Sequence, residues 1–445
     1  MFRSLSLRAS LNRAAVSAVC VASFAALSFA SDTPSSGYQV ANRLVNPSFG
    51  AATCTLANGE LVTFDGLEVA RWTPDGTFIA PIATLSGFTF PSFIKAAPDG
   101  LGVVFAESGD GSGPAGNVYY VHIDGSALTP PLPLVFPYDA DFLPSGDLVV
   151  SAATLGFGNG NDFALVKFAP PSVTLIGHVD GASGPVAGSR AGDIYYATQI
   201  SGGSPPPGAT DIVRWPYSLV LAGTPLDASN ALTIATGFDG GSSMVFDPIK
   251  GRLFLAENNF GLGVHNIWRV KTDHAHSTLI ATSTDWTSQL RFANAGGSAT
   301  FDAYQPEDGS RLVFDSTDFF SFNDIVTVAP LRPVLSITGP GVLGAGNVTL
   351  SVTGGAPNGC ALLTYCTQSS IAPVESDMHF PKFLHHTPFD LTQTVRFNFL
   401  VPSDAAGTTN VTFYNPGGLA GLFGYQFLVG NAAGALIGSS NAVQF

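Results

Sequence analysis

Gly251-Arg252-Leu253-Phe254-Leu255-Ala256-Glu257, followed by the second apolar run Asn266-Ile267-Trp268-Arg269-Val270, is the clearest copy of a pattern that the chain repeats. A glycine closes a tight turn, a short Leu/Val/Phe-rich run follows, and a polar or Gly-rich loop leads to a second run. Working outward, the same order appears at Asn58-Gly59 before residues 61–64, Asp99-Gly100 before 103–106, and Ser145-Gly146 before 148–150. It returns at Ala191-Gly192 before 194–196 and at Asp308-Gly309 before 312–314. The second runs are led in by Asn117, Asp162, Asp211, Asn266 and Asp324. Asn and Asp side chains can bond their own backbone as the chain turns, so their recurrence reads as turn chemistry.

The turn glycines Gly59, Gly100, Gly146, Gly192, Gly251 and Gly309 lie 41 to 59 residues apart. That is the length of a four-stranded blade, and repetition at this period is the signature of a propeller. Inner strands are expected near residues 94–97, 140–143, 186–187, 244–246 and 290–292, with no helical periodicity anywhere. A ring of blades must close, because an open end exposes unpaired strand edges. The last repeat runs out at Pro330 after three strands, whereas residues 39–45 read as a strand ahead of the first repeat. The N-terminal strand is therefore expected to become the outermost strand of the last blade. The predicted fold is all-β, a six-bladed β-propeller over residues 38–330; seven blades or two stacked sandwiches are the competing arrangements.

Residues 251–259 with 266–270 look like an NHL-type blade, and the whole of 38–330 resembles the six-bladed extracellular propellers that include the gluconolactonase-like proteins. That resemblance implies a divalent metal at the axis, held by Glu, Asn and Asp from different inner strands or adjoining loops. By repeat position Glu107, Asp139, Asp141, Asp239 and Glu257 could lie near one rim. Capping of turns at the blade edges is the competing role for these carboxylates, and the one favoured.

Beyond Pro333 the pattern changes to short alternating strands separated by Gly and Pro turns, which suggests an Ig-like β-sandwich over residues 331–445. Its ending, residues 425–429 and 440–445, resembles C-terminal modules of secreted planctomycete-type bacterial proteins. Cys360 and Cys366 enclose five residues and are expected to form a local disulfide. Cys54 reads as a buried, inert thiol.

Residues 1–30 read as a signal peptide: Arg3, Arg8 and Arg13 precede an uncharged, small and apolar run that ends at Ser28-Phe29-Ala30. Residues 31–37 read as a linker. Export implies a secreted, extracellular or periplasmic protein with no membrane insertion after cleavage, and a monomer is expected. With 11% charged residues, 45% hydrophobic residues, 50 Gly and 31 Pro, the composition is that of a turn-dense chain with a core. The formal charge of −14, about −17 once the signal is removed, argues against nucleic acid as a partner.

Metal and catalytic motifs are weak. His274 with His276, and the group His379, His385 and His386, have no carboxylate or thiol partner at a familiar zinc spacing. The loop 107–113 and the segment 315–324 are calcium-like in composition, but neither fits the twelve-residue calcium loop. No Gly-x-Ser-x-Gly elbow or phosphate loop is present. The reading is a non-catalytic binding or scaffold protein that recognises an extracellular polymer or protein, with no cofactor required and Ca2+ as the one candidate ion. A metal-dependent hydrolase or lactonase in the propeller channel is the alternative, and carbohydrate binding by Phe380, Phe383 and Phe389 is a third.

Overall fold

The computed structural model describes residues 32–35, 38–45, 52–156, 159–199, 206–247, 251–259, 261–272, 277–294, 310–318, 323–330, 334–338, 345–355, 358–366, 395–415, 424–430, 436–439 and 443–444. The signal segment, His274, His276, His379, His385, His386, Gly309 and Phe380, Phe383 and Phe389 lie outside the described residues.

Two N-terminal strands, β1 (Asp32–Pro34) and β2 (Tyr38–Val45), precede the first blade. Blade one is β3 (Ala52–Thr55), β4 (Leu61–Phe64), β5 (Glu68–Trp72) and β6 (Phe78–Thr84). Blade two is β7 (Pro91–Ala96), β8 (Gly102–Glu107), β9 (Asn117–His122) and β10 (Leu132–Pro133). Blade three is β11 (Pro137–Phe142), β12 (Leu148–Ala152), β13 (Asn161–Phe168) and β14 (Pro171–Val179). Blade four is β15 (Val186–Gly188), β16 (Ile194–Ala197), β17 (Thr210–Trp215) and β18 (Leu232–Phe238). Blade five is β19 (Gly240–Asp247), β20 (Arg252–Asn259), β21 (Val264–Lys271) and β22 (Ser277–Ser283). Blade six contributes β23 (Trp286–Asn294), β24 (Ser310–Thr317) and β25 (Asn323–Pro330).

Each blade is an antiparallel sheet in chain order, and the inner strands β3, β7, β11, β15, β19 and β23 pack side by side with β23 returning to β3. The chain is a six-bladed propeller followed by a sandwich. The fourth strand of blade six is β2, paired antiparallel to β25 from Tyr38↔Pro330 to Val45↔Asp324. Part of the segment read as a linker is strand: β1 pairs β22 at Asp32↔Ser283 and adds a fifth strand to blade five.

A blade is covered on both faces by its neighbours, so the second strands are buried at every residue in β4, β8, β12 and β16. That is why they read as unbroken apolar runs rather than as alternating ones. The core lies in wedges between blades. Phe64 of blade one meets Phe105 of blade two at 4.8 Å, and Phe163 of blade three meets Tyr196 and Trp215 of blade four at 5.0 Å each. The wedge between blades six and one is small, formed by Leu61, Val313 and Ile325 with Leu44 and Trp72 against them.

The turn glycines do what the repeat implied. Gly59, Gly100, Gly146, Gly192 and Gly251 have φ between +63° and +91°, a region nearly free of cost only without a Cβ. The N–H groups of Gly59, Gly100, Gly146 and Gly192 each donate to the carbonyl three residues back at 2.9–3.0 Å. One short helix, α1 (Tyr217–Leu221), interrupts blade four between β17 and β18, where no helix was expected. A five-residue element is below the length at which helical periodicity can be read.

The sandwich has one sheet of β26 (Val334–Thr338), β27 (Gly346–Thr353) and β30 (Thr409–Asn415). The other orders β29 (Val395–Pro402), β28 (Cys360–Cys366), β31 (Gly424–Gly430) and β32 (Leu436–Ser439), with β33 (Val443–Gln444) also on β31. Leu335, Val348, Leu350, Ala361, Leu363, Phe427 and Val429 form its core. The expected disulfide is corrected here. Cys360 and Cys366 occupy opposite ends of the single strand β28, opposite Gly430 and Gly424 of β31. At about 3.3 Å per residue their Cα atoms are roughly 20 Å apart, and a disulfide needs less than about 7 Å.

Candidate functional site: the mouth of the propeller channel

Antiparallel blades put the starts of all the inner strands at one end of the ring, together with the loops joining each second strand to its third. This end is the entry face; the glycine turns lie at the other. A cavity of about 480 Å³ opens at the entry face. Ala52, Ser92, Tyr138, Asp139, Ser242, Trp286 and Gln289 line it from the inner strands, and Ser108, Asn258, Thr317 and Asn323 from the second and third strands and their loops. The lining is hydroxyl, amide and aromatic with Ala52, Pro91 and Pro137 among them, and Asp139 is its single carboxylate.

Of the five carboxylates singled out in the sequence, only Asp139 reaches this cavity. It is buried and bonded to Lys95 Nζ at 2.9 Å, a contact between the inner strands of blades two and three. Burial pushes its carboxyl above the ordinary range, against the pull of the Lys95 charge. Asp141, one step deeper, accepts the Gly188 N–H at 2.8 Å and so ties blade three to blade four; burial pushes it up to about 6. Glu107 is buried away from the mouth, accepting from Asn117 Nδ2 at 2.6 Å and the Gly109 N–H at 2.5 Å. Glu257 takes the same part in blade five, accepting Asn266 Nδ2 at 2.8 Å, Trp268 Nε1 at 2.5 Å and the Asp239 N–H at 2.6 Å. Asp239 accepts from Asn259 Nδ2 and the Gly208 N–H.

The five carboxylates therefore do not converge. Each is spent on its own donors, and the role seen is that of blade-edge caps and staples between blades. Among the described residues no group of three or more His, Cys, Asp or Glu side chains is placed to hold a metal ion. The recurrent Asn and Asp residues also differ from the expected self-capping. Asn117 and Asn266 donate across the blade to a glutamate, and Asp162 accepts from Thr154 and pairs with His178.

Sequence reading missed the second ion pair of the channel. Arg291 Nη1 lies 2.9 Å from Asp315, which is fully buried and accepts the Thr53 hydroxyl at 2.7 Å. Burial raises the Asp315 carboxyl despite the adjacent guanidinium. The pair lies within blade six, and the bonds from the Thr53 hydroxyl to Asp315 and from Arg291 Nε to Thr55 Oγ1 at 3.2 Å tie it to blade one, beside the small apolar wedge. The legible signal was a lone cation inside an apolar inner strand, Lys95 in Phe93-Ile94-Lys95-Ala96 and Arg291 in Leu290-Arg291-Phe292. A charge buried there needs a partner.

No protein-family model and no curated protein matches the chain. Solved structures do. A luciferin-regenerating enzyme is 15% identical at a TM-score of 0.43, covering 67% of this chain and 96% of that one. A gluconolactonase from Xanthomonas campestris is 12% identical at 0.44, covering 67% and 94%. The WD40 domain of Neurospora crassa Pan2 is 8% identical at 0.39, covering 62% and 74%. The likeness is one of propeller fold.

Proposed function

We propose that the chain is a secreted, non-catalytic recognition protein that takes an extracellular polymer or protein partner at the entry face of its propeller, with the sandwich as an attachment or spacing module. One observation carries this reading: the mouth of the channel is lined by neutral hydroxyl, amide and aromatic groups, and its one carboxylate is held by Lys95. Such a lining offers hydrogen bonds and stacking surfaces to a ligand and leaves no unengaged acid, base or nucleophile convergent on one point.

The test is a panel of lactones and phosphoesters assayed with calcium, magnesium, manganese or zinc. No turnover is expected; metal-dependent turnover abolished by Asp139→Asn would replace this reading with the hydrolase one. That second reading has one observation on its side. Asp139 and Asp141 stand near Lys95 with raised carboxyls, Asp141 at about 6, a range suited to a general base.

A further inference from the structure

The cations of the propeller are divided unevenly between its two ends. No lysine or arginine occurs in any connection that ends at the entry face: 46–51, 65–67, 85–90, 108–116, 134–136, 153–160, 180–185, 198–209, 239, 260–263, 284–285 or 318–322. Those connections carry Asp65, Asp110, Asp180, Asp239, Asp285 and Asp318, of which Asp110 and Asp180 are exposed. At the turn face the charges are mixed and paired, as in Arg71 with Glu60 at 2.6 Å and Lys167 with Asp147 at 3.5 Å. Arg43, on the upper part of β2, is held by Asp32 at 2.5 Å and Asp324 at 2.8 Å and faces Asp285 at 3.7 Å. It lends no net positive charge to the face.

The same face exposes apolar side chains. Phe88 and Phe90 are 55% and 52% exposed, stand edge to face at 5.5 Å, and adjoin Pro91 and Ser92 of the cavity lining. Leu155 and Leu262, 65% and 72% exposed, tip the loops of blades three and five. Exposed aromatics beside uncompensated carboxylates suit a partner that is cationic and apolar together. A guanidinium or ammonium group gains from the carboxylate field and from an aromatic ring face, and an apolar side chain gains by covering the ring.

We propose that the entry face docks a basic polypeptide segment bearing apolar side chains. This rests on the recognition reading above and names its partner. A neutral glycan would stack on Phe88 and Phe90 but draw nothing from the anionic loops.

The experiment uses the full mature chain, with a synthetic peptide alternating lysine and phenylalanine as probe, its glutamate counterpart, and an array of neutral oligosaccharides. The lysine peptide is expected to bind with an affinity that falls with added salt, and the glutamate peptide is expected not to bind. Asp110→Lys with Asp180→Lys should weaken binding by about tenfold or more, while the charge-matched pair Asp75→Lys with Asp124→Lys, exposed on the turn face, should change it by less than about twofold. Phe88→Ala with Phe90→Ala should also weaken it, with circular dichroism unchanged. Equal losses from the two charge pairs, or no peptide binding, would overturn the proposal. Oligosaccharide binding without peptide binding would overturn this partner and leave the recognition reading standing. Lactone turnover with peptide binding intact would do the reverse.

Discussion

Asn258 and Thr287 bond each other twice. The Thr287 N–H donates to Asn258 Oδ1 at 2.9 Å, and Asn258 Nδ2 donates to the Thr287 carbonyl at 2.9 Å, so a side-chain amide pairs with the backbone of the next blade as a strand would. Both residues are buried, and Asn258 also lines the channel mouth. Removing the amide orphans the buried Thr287 N–H, while the Thr287 carbonyl keeps the Ser242 hydroxyl at 2.5 Å. Asn258→Ala is expected to destabilise the propeller by about 1–3 kcal/mol, read as a lowered denaturant midpoint; a shift indistinguishable from zero would mean that the blades hold without this clasp.

The ring is also closed by charge. Arg43 on β2 engages Asp32 and Asp324 and faces Asp285, joining β1, β25 and the connection between blades five and six. Arg43→Ala leaves three carboxylates facing one another and is expected to cost about 3 kcal/mol or more. Asp32→Ala removes one of the three negative charges and should cost clearly less. The comparison is made by urea unfolding, with limited proteolysis at the N-terminus as a second readout. Equal costs would show that the strands, not the charges, hold the seam.

Asp141 makes stability depend on pH. Its folded-state carboxyl titrates at about 6 because of burial, above its unfolded value, so the native state binds the extra proton between about pH 4 and 6. Stability from this group is fully present below about 4 and is lost as pH rises through about 6. Asp141→Asn, which can still accept from Gly188, should raise stability above pH 6 by about 1–3 kcal/mol and flatten the profile between pH 4 and 6. An unchanged slope would show that Asp141 is not the titrating group.

Burial pushes the Cys54 thiol up to about 12, so it stays protonated and shielded on inner strand β3. Iodoacetamide at pH 8 should leave it unlabelled in the folded protein and label it in urea. Mass spectrometry of the peptide containing Cys54 distinguishes the two; fast labelling without denaturant would contradict the burial.

The repeat was legible because a blade's second strand is buried on both faces and its turn needs a positive φ, so residues 253–255 are apolar throughout and Gly251 precedes them. Those demands are local, and they fix the blade and, by counting, the ring. Glu107 and Glu257 were found as special positions for the same reason, since each lies at or near the end of the second strand of its blade, but their role was not visible. It lies in a bond to Asn117 or Asn266 across the blade, and with Asp139 and Arg291 the partner lies on a different strand of the ring. Cys360 and Cys366 show the limit most plainly. Close spacing along the chain suggested a bridge, and only the sheet revealed that an extended strand holds them apart. What the sequence determined by itself was the set of demands each residue places on its own few neighbours. The tertiary structure decided which charges meet at the axis and which face was left without cations, because those depend on bringing together groups separated by tens to hundreds of residues.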